Sequence, residues 1–338
     1  LVAAAAELPL TEPDLPLFGS TTGMLLDTLV ARGALRRRPS GWYWTRPDRA
    51  GDLVNLRGTD GGTVRIVEAS TGRVIGTVET GAAHRTVHEG AVYLHRGAAW
   101  LVRELDLDGG TALVEPTSGD TYTQARETSE VRVLATHRSR IWGAARVHLG
   151  HVQVTTQVTS YQLREVLSGR VLTEERLGLP PRSLRTVATW WTVPEEVLAS
   201  FEVTAPEIPG AAHAAEHAAI GLLPLIATCD RWDVGGLSTA LHPDTGQPTV
   251  FVHDGYPGGA GFAERGFRAA GTWLRATRSV IADCGCETGC PSCVQSPKCG
   301  NGNHPLDKQA ALRLLDAMLS EADPDDEPDG RPVPRIAP

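Results

Sequence analysis

No stretch of this 338-residue sequence approaches the eighteen or so uncharged apolar residues that a membrane-spanning helix needs. A secretory leader is also missing at Leu1, where the chain begins abruptly in VAAAAEL without an initiating methionine. The expectation is therefore a piece of a longer cytoplasmic protein, with no membrane partner and with its main activity in the part not given. No Walker A sequence, GxxxxGK[ST], occurs anywhere, so these residues cannot by themselves hydrolyse ATP in the usual P-loop manner. A basic excess is missing too, since the net charge is −8. Half of that, −4, lies in the last eighteen residues, where six acids from Glu321 to Asp329 face only Arg331 and Arg335 among five prolines. That segment, 321–338, reads as a disordered acidic tail.

Cysteine is scarce but concentrated. Five of the six lie within sixteen residues, as Cys284, Cys286, Cys290, Cys293 and Cys299 in ADCGCETGCPSCVQSPKCGNGNHPLDK. CPSC supplies a two-residue-spaced chelating pair and CGC a tighter one, and Cys299 is left as a fifth, alternate thiol. Glycines 285, 289, 300 and 302 would let the backbone fold closely enough to aim four thiolates at one point. A structural zinc is the leading reading, and an all-thiolate set leaves no open position for catalytic water. An iron–sulfur cluster takes the same four thiolates, and disulfides are the third reading, which an odd clustered number serves badly.

Charge is uneven in the middle of the chain. From Arg138 to Trp190 eight arginines face three glutamates, with Trp142, Tyr161, Trp190 and Trp191 interleaved. Guanidinium groups pair with phosphate and rings stack on bases, so a single-strand groove is one reading, with Arg164, Arg170, Arg176, Tyr161 and Trp190 as candidate contacts. A solvated sheet face with its tryptophans in the core is the other.

The periodicities imply an α+β, multi-domain chain. Residues 21–32, with Met24, Leu25, Leu29 and Val30 at helical spacing, read as an amphipathic helix before a basic hairpin, ALRRRPSGWYWTRP. Helix and hairpin together suggest the end of a winged helix over 1–50. Residues 51–136 show short β runs (LVNLR, TVRIVEA, RVIGTVE, AVYLHR, AAWLVRELDL, TALVEP, EVRVL), the pattern of a small SH3- or OB-like β-barrel. From 137 to 320 a mixed α/β domain is expected. It opens on two long β runs joined near Ser168 to Arg170 as a hairpin, and closes on the helical DKQAALRLLDAML.

Two further motifs invite chemistry. HAAEH at His213 to His217 matches the HxxEH zinc-hydrolase pattern, with Glu216 as base and no obvious third ligand beyond Glu264; polar helix residues that pack are the plainer reading. GYPGGAGFAERG (255–266) lacks the lysine of a phosphate loop and reads as a strand-to-helix turn whose amides near 259–262 could meet an anion.

CDRWDVGG (229–236), FVHDGYPGGAGF (251–262) and the cysteine loop together resemble the C-terminal zinc-binding domain of MrfA/YprA-type superfamily 2 DNA helicases, which include the SftH group. RVIGTVE, GAVYLHRG, WLVRELDLDG and TYTQ extend the similarity through the barrel. The resemblance implies an ATP-dependent 3′-to-5′ helicase of DNA repair, nucleoid-associated. Its ATP and Mg2+ would belong to RecA-like motor domains outside this sequence, while the present region would embrace single-stranded DNA. It also implies that the family's CxCx3CxxC ligands fall on Cys284, Cys286, Cys290 and Cys293 and that the HAAEH helix has no protease activity.

Overall fold

The computed structural model describes residues 1–53 and 62–322, so most of the LVNLR run and the acidic tail beyond Ala322 lie outside the described residues. Leu1–Gly62 and Thr63–Pro338 form two compact units. Among the described residues no helix is long and apolar enough to cross a membrane.

The first unit contains α1 (Val2–Glu7), α2 (Thr22–Ala31) and the hairpin β1 (Leu35–Arg38)–β2 (Gly41–Trp44). Its core is Ala5, Leu10, Leu26, Leu35 and Trp42. The expected helix is present but rotated from its expected face: Met24 and Leu25 are exposed, while Leu26 is fully buried with Leu29 and Val30 packed beside it. Leu10 bridges to Trp42, which brings its carbonyl so near Gly41 (φ +132°) that a Cβ there would lie 2.2 Å from the oxygen. Only glycine satisfies both demands.

The second unit opens on β3 (Thr63–Glu68), β4 (Val74–Glu79), α3 (Thr80–Thr86), β5 (Val92–His95), β6 (Ala98–Asp106) and β7 (Thr111–Thr117). These strands form one five-stranded sheet, β4-β3-β7-β6-β5, around Val64, Ile66, Trp100, Val102 and Val114. The expected barrel is thus a half barrel, with edge strands β4 and β5 unpaired to each other among the described residues. EVRVL is not one of its strands. It belongs to β8 (Thr121–Trp142), which runs through the expected boundary at 136 and pairs along its length with β9 (Ala145–Glu165). The turn at Gly143 (φ +55°) joins them into the longest hairpin of the chain, which the short-run reading had divided between two domains.

On the other edge of β9 lie β10 (Val171–Arg176) and β11 (Arg182–Thr192), so the expected hairpin through Ser168–Arg170 is present, its second arm interrupted around Pro180 and Pro181. Beyond α4 (Glu195–Ser200) and α5 (Ile208–Ala227), strands β12 (Val234–Thr239) and β13 (Thr249–Asp254) extend the sheet next to β11. Helices α6 (Phe262–Arg268), α7 (Ala270–Asp283) and α8 (Lys308–Leu319) complete the unit.

Successive strand residues face opposite ways, and the Trp190–Trp191 pair shows the consequence. Trp191 turns to the helical side and meets Trp273 of α7 edge-on, at 5.7 Å between ring centres. Trp190 turns to the other face, stacked between His148 and Phe251. On the helical side α5 offers Ala211, Ala212, Ala214, Ala215, Ala218 and Ala219, all buried, and these small side chains let α7 and α8 approach closely. The Trp273 indole N–H donates to the Ala219 carbonyl at 2.9 Å, so its one polar atom is satisfied in the core.

Candidate metal centre

Helix α7 ends at Asp283, and extended backbone at Cys284 (φ −73°, ψ 120°) turns the chain into the cysteine loop. Cys290 and Cys293 sit on a tight turn in which the Cys290 carbonyl accepts from the amides of Cys293 (3.0 Å) and Gln295 (3.1 Å), while the Cys290 N–H points at the Cys293 sulfur (3.4 Å). Of the four glycines expected to shape this loop, Gly289 and Gly302 have positive φ. Gly289 also lies where a Cβ would approach Val294 Cγ2 to 2.5 Å, whereas Gly285 meets nothing.

Four sulfurs converge. Cys284 Sγ lies 3.6 Å from Cys286 and 3.5 Å from Cys290, Cys286 3.5 Å from Cys293, and Cys290 3.8 Å from Cys293. A disulfide would hold two of them at about 2.0 Å, and all are free thiols. Tetrahedral zinc with bonds of about 2.3 Å separates its thiolates by about 3.8 Å, which these distances match. A multinuclear iron–sulfur cluster places iron and sulfide between its thiolates and needs wider spacing than this.

The electrostatics fit a cation. Backbone donation from Ser292, then the Cys284 thiol, brings Cys290 down to about 7, while burial pushes Cys293 up to about 12. Sulfurs this close cannot all be thiolates unless positive charge lies among them. The chain has only two lysines, and both anchor this loop. Buried Lys308 donates to the carbonyls of Cys284 and Cys286, each at 2.6 Å, with its ammonium 3.6 Å from Cys286 Sγ, where it would offset the net negative charge of a zinc tetrathiolate. Lys298 donates to the carbonyls of Arg231 and Val234 and lies over the Trp232 ring, and burial brings its ammonium down to about 8. Neither lysine was foreseen from sequence; their isolation in an arginine-rich chain was the available signal.

Cys299 stands outside the four. Its sulfur lies 3.4 Å from His213 Nε2, and with His217 the three side chains converge on α5. Glu264 takes no part in this group. It pairs instead with Arg268 at 2.6 Å, so the third ligand expected there is misplaced. Glu216, the expected base, is buried, accepts from Ser238 on the neighbouring strand, and is pushed up to about 7 by burial. It is committed to the helix–sheet contact rather than to a bound water.

The anion reading of 255–266 is overturned in the same way. The Asp254 carboxylate, fully buried, already accepts from the amides of Ala260 (2.5 Å), Gly261 (2.8 Å) and Ala263 (2.7 Å). The loop carries its own anion.

The candidate strand contacts are divided. Trp190 is 2% exposed and Tyr161 is buried, with its hydroxyl donating to Glu175 at 3.0 Å, so neither ring is offered to a base. Arg164 is half-buried, bonded to Gln162 Oε1 and to the Gly169 carbonyl. Arg170 and Arg176 are exposed.

A family model described as the MrfA Zn-binding domain matches residues 215–294, from the HAAEH helix to the CPSC turn. The ATP-dependent helicase YprA of Bacillus subtilis, described as uncharacterized, is 28% identical over 94% of this chain and 42% of its own length. An uncharacterized protein of Methanocaldococcus jannaschii, MJ1572.1, is 36% identical over 99% of its length and 32% of this chain. Among solved structures, the DUF1998 helicase MrfA bound to DNA matches 93% of this chain and 41% of its own, with 27% identity and a TM-score of 0.57. The chain therefore spans about two fifths of the helicases it matches. A shared Zn-binding region and a likeness that runs almost end to end place this chain in the MrfA/YprA family of helicases.

Proposed function

We propose that this chain is the C-terminal accessory region of an ATP-dependent DNA helicase that moves 3′ to 5′ in DNA repair, and that it guides single-stranded DNA beside RecA-like motor domains. The observation that carries the reading is the match of nearly the whole chain to a helicase solved on DNA. ATP and Mg2+ would be bound by the motor, in keeping with the missing Walker A sequence here. Residues 1–50 would close a winged helix.

Cys284, Cys286, Cys290 and Cys293 would hold one zinc, which supplies a rigid four-coordinate crosslink and no open position for water. Lys308 balances its charge from the start of α8. Arg170 and Arg176 would pair with backbone phosphates. Arg164 acts indirectly by fixing the 166–170 turn through the Gly169 carbonyl. Tyr161 and Trp190 brace the sheet behind them.

Binding of the chain to an oligothymidine over a range of salt tests this. Each phosphate contact to a single strand contributes about 0.7 to the slope of log affinity against log salt, so replacing both Arg170 and Arg176 with alanine should lower the slope by about 1.4 and weaken binding. Equal slopes for the native and doubly substituted chains would remove these arginines from the interface, and salt-insensitive binding would count against the guiding role itself.

A further inference from the structure

We propose that His213, His217 and Cys299 form a second metal site, a His2Cys set for zinc(II) separate from the four-cysteine knuckle. It would tie helix α5 to the loop between the knuckle and α8.

The two histidines are one helical turn apart and therefore share a face of α5. Each ring is fixed by its Nδ1, which lies 2.8 Å from a backbone carbonyl, Pro305 for His213 and Val294 for His217. A carbonyl can only accept, so this pattern assigns the ring proton to Nδ1 and leaves each Nε2 with a free lone pair. Metal-binding histidines are oriented in this way, with the second nitrogen donating to a carbonyl or carboxylate. Both rings are more than nine-tenths buried.

The third donor is delivered by the loop. Cys299 Sγ lies 3.4 Å from His213 Nε2, and the three donor atoms are all within 4.8 Å of one another. Zinc bonds of about 2.0–2.1 Å to nitrogen and 2.3 Å to sulfur would set the nitrogen–sulfur separation near 3.5 Å in a tetrahedron. The loop is braced around that sulfur. The Asn303 amide donates to Cys299 Sγ at 3.2 Å, and the Asn303 side chain clamps Ser296 at both its N–H (2.8 Å) and its carbonyl (3.1 Å).

Three protein donors leave a fourth position for water, unlike the closed knuckle. The two centres are linked through adjacent residues. Cys293 belongs to the knuckle, and the carbonyl of Val294 orients His217. Without a metal, the same residues would form a thiol–imidazole hydrogen bond, and metal content separates the two cases.

The test is zinc analysis of the whole purified chain after passage over a chelating resin, repeated on Cys299→Ser and His217→Asn. Two zinc ions per chain are expected for the native protein, falling to one in each variant. Cobalt substitution supplies an internal control, because the tetrathiolate bands report whether a variant still folds around the knuckle. The native chain should show both the long-wavelength bands of a tetrathiolate centre and shorter-wavelength bands of a nitrogen–sulfur centre, and Cys299→Ser should lose only the latter. One zinc per native chain, with only tetrathiolate bands in the cobalt protein, would overturn the proposal while leaving the knuckle intact. A missing tetrathiolate signal would instead indict the knuckle.

Discussion

The sheet around β9 and the cysteine loop from Cys284 to Asp307 are neighbours that fold for opposite reasons. In the sheet, order comes from apolar area: Trp191, Trp273, Phe267, Leu223, Leu274 and Ile281 are essentially inaccessible to solvent and share one core. In the loop only Cys293, Val294 and Ser296 are buried, and residues 284–307 include no helix or strand. Burial at about 25 cal/mol per Å2 cannot hold such a segment against the backbone entropy of ordering it, at about 1–2 kcal/mol per residue. The loop must take its order from bonds: four converging sulfurs, the His213–Cys299 contact, and buried Lys308 and half-buried Lys298 donating to carbonyls.

The sharpest way to separate the two regions is to remove the metal. Structural zinc is worth on the order of 10 kcal/mol to a finger peptide, and a zinc held by the four cysteines would direct that free energy at one loop. Chelation, or Cys290→Ser, is expected to release hydrogen-exchange protection throughout 284–307 while β9, β11 and β13 stay protected. Uniform loss of protection would show that the sheet depends on the loop as well, and unchanged protection in the loop would show that its order does not come from metal.

The converse experiment attacks apolar burial. Trp273→Ala leaves a large void beneath Trp191 and strands the Ala219 carbonyl, and should lower the unfolding free energy by about 3–5 kcal/mol in a urea titration. Zinc per folded chain should not change. If zinc is lost in proportion to the destabilisation, the two regions are a single cooperative unit and the contrast fails.

This contrast also explains what could be read from the sequence. Regions ordered by periodic burial were legible in kind: the helix at 22–31, the β runs of the half barrel, the hairpin through 168–170 and the closing helix at 308–319. Their extents were not, because alternation says which face is buried but not which strand is the partner, and so EVRVL was assigned to the wrong sheet. Ligand spacing made the cysteine cluster legible, since chelation is local in sequence, while the choice of four of its five thiols came with the family resemblance. Long-range polar commitments left no such trace. Nothing in the composition tells that Asp254 fills the amide nest of 260–263, or that Cys299 meets a histidine 86 residues earlier. The tryptophans misled for a simpler reason, because a ring that can stack on a base packs equally well in a core, as Trp190 does.

Acid provides the finest probe, because it reaches both regions through different protons. In the loop it protonates thiolates and releases metal. In the sheet it acts on His253 of β13, whose ring burial drives below the ordinary histidine value despite the opposing hydrogen bond from Nδ1 to the Asp254 carbonyl and the Asp254 charge, with nearby Lys298 lowering it further. A histidine depressed in the folded state is neutral there and takes up a proton more readily once unfolded. Its contribution to stability is therefore complete above about pH 6.5 and is lost as pH falls from there through the folded-state value. His253→Gln should flatten the decline in unfolding free energy below pH 6.5, by less than the Trp273 effect, at a fixed pH dependence of zinc release. If the native and substituted chains decline in parallel, the acid sensitivity of the sheet is inherited from the thiolates of the loop, and the two regions are coupled through the metal rather than through their packing.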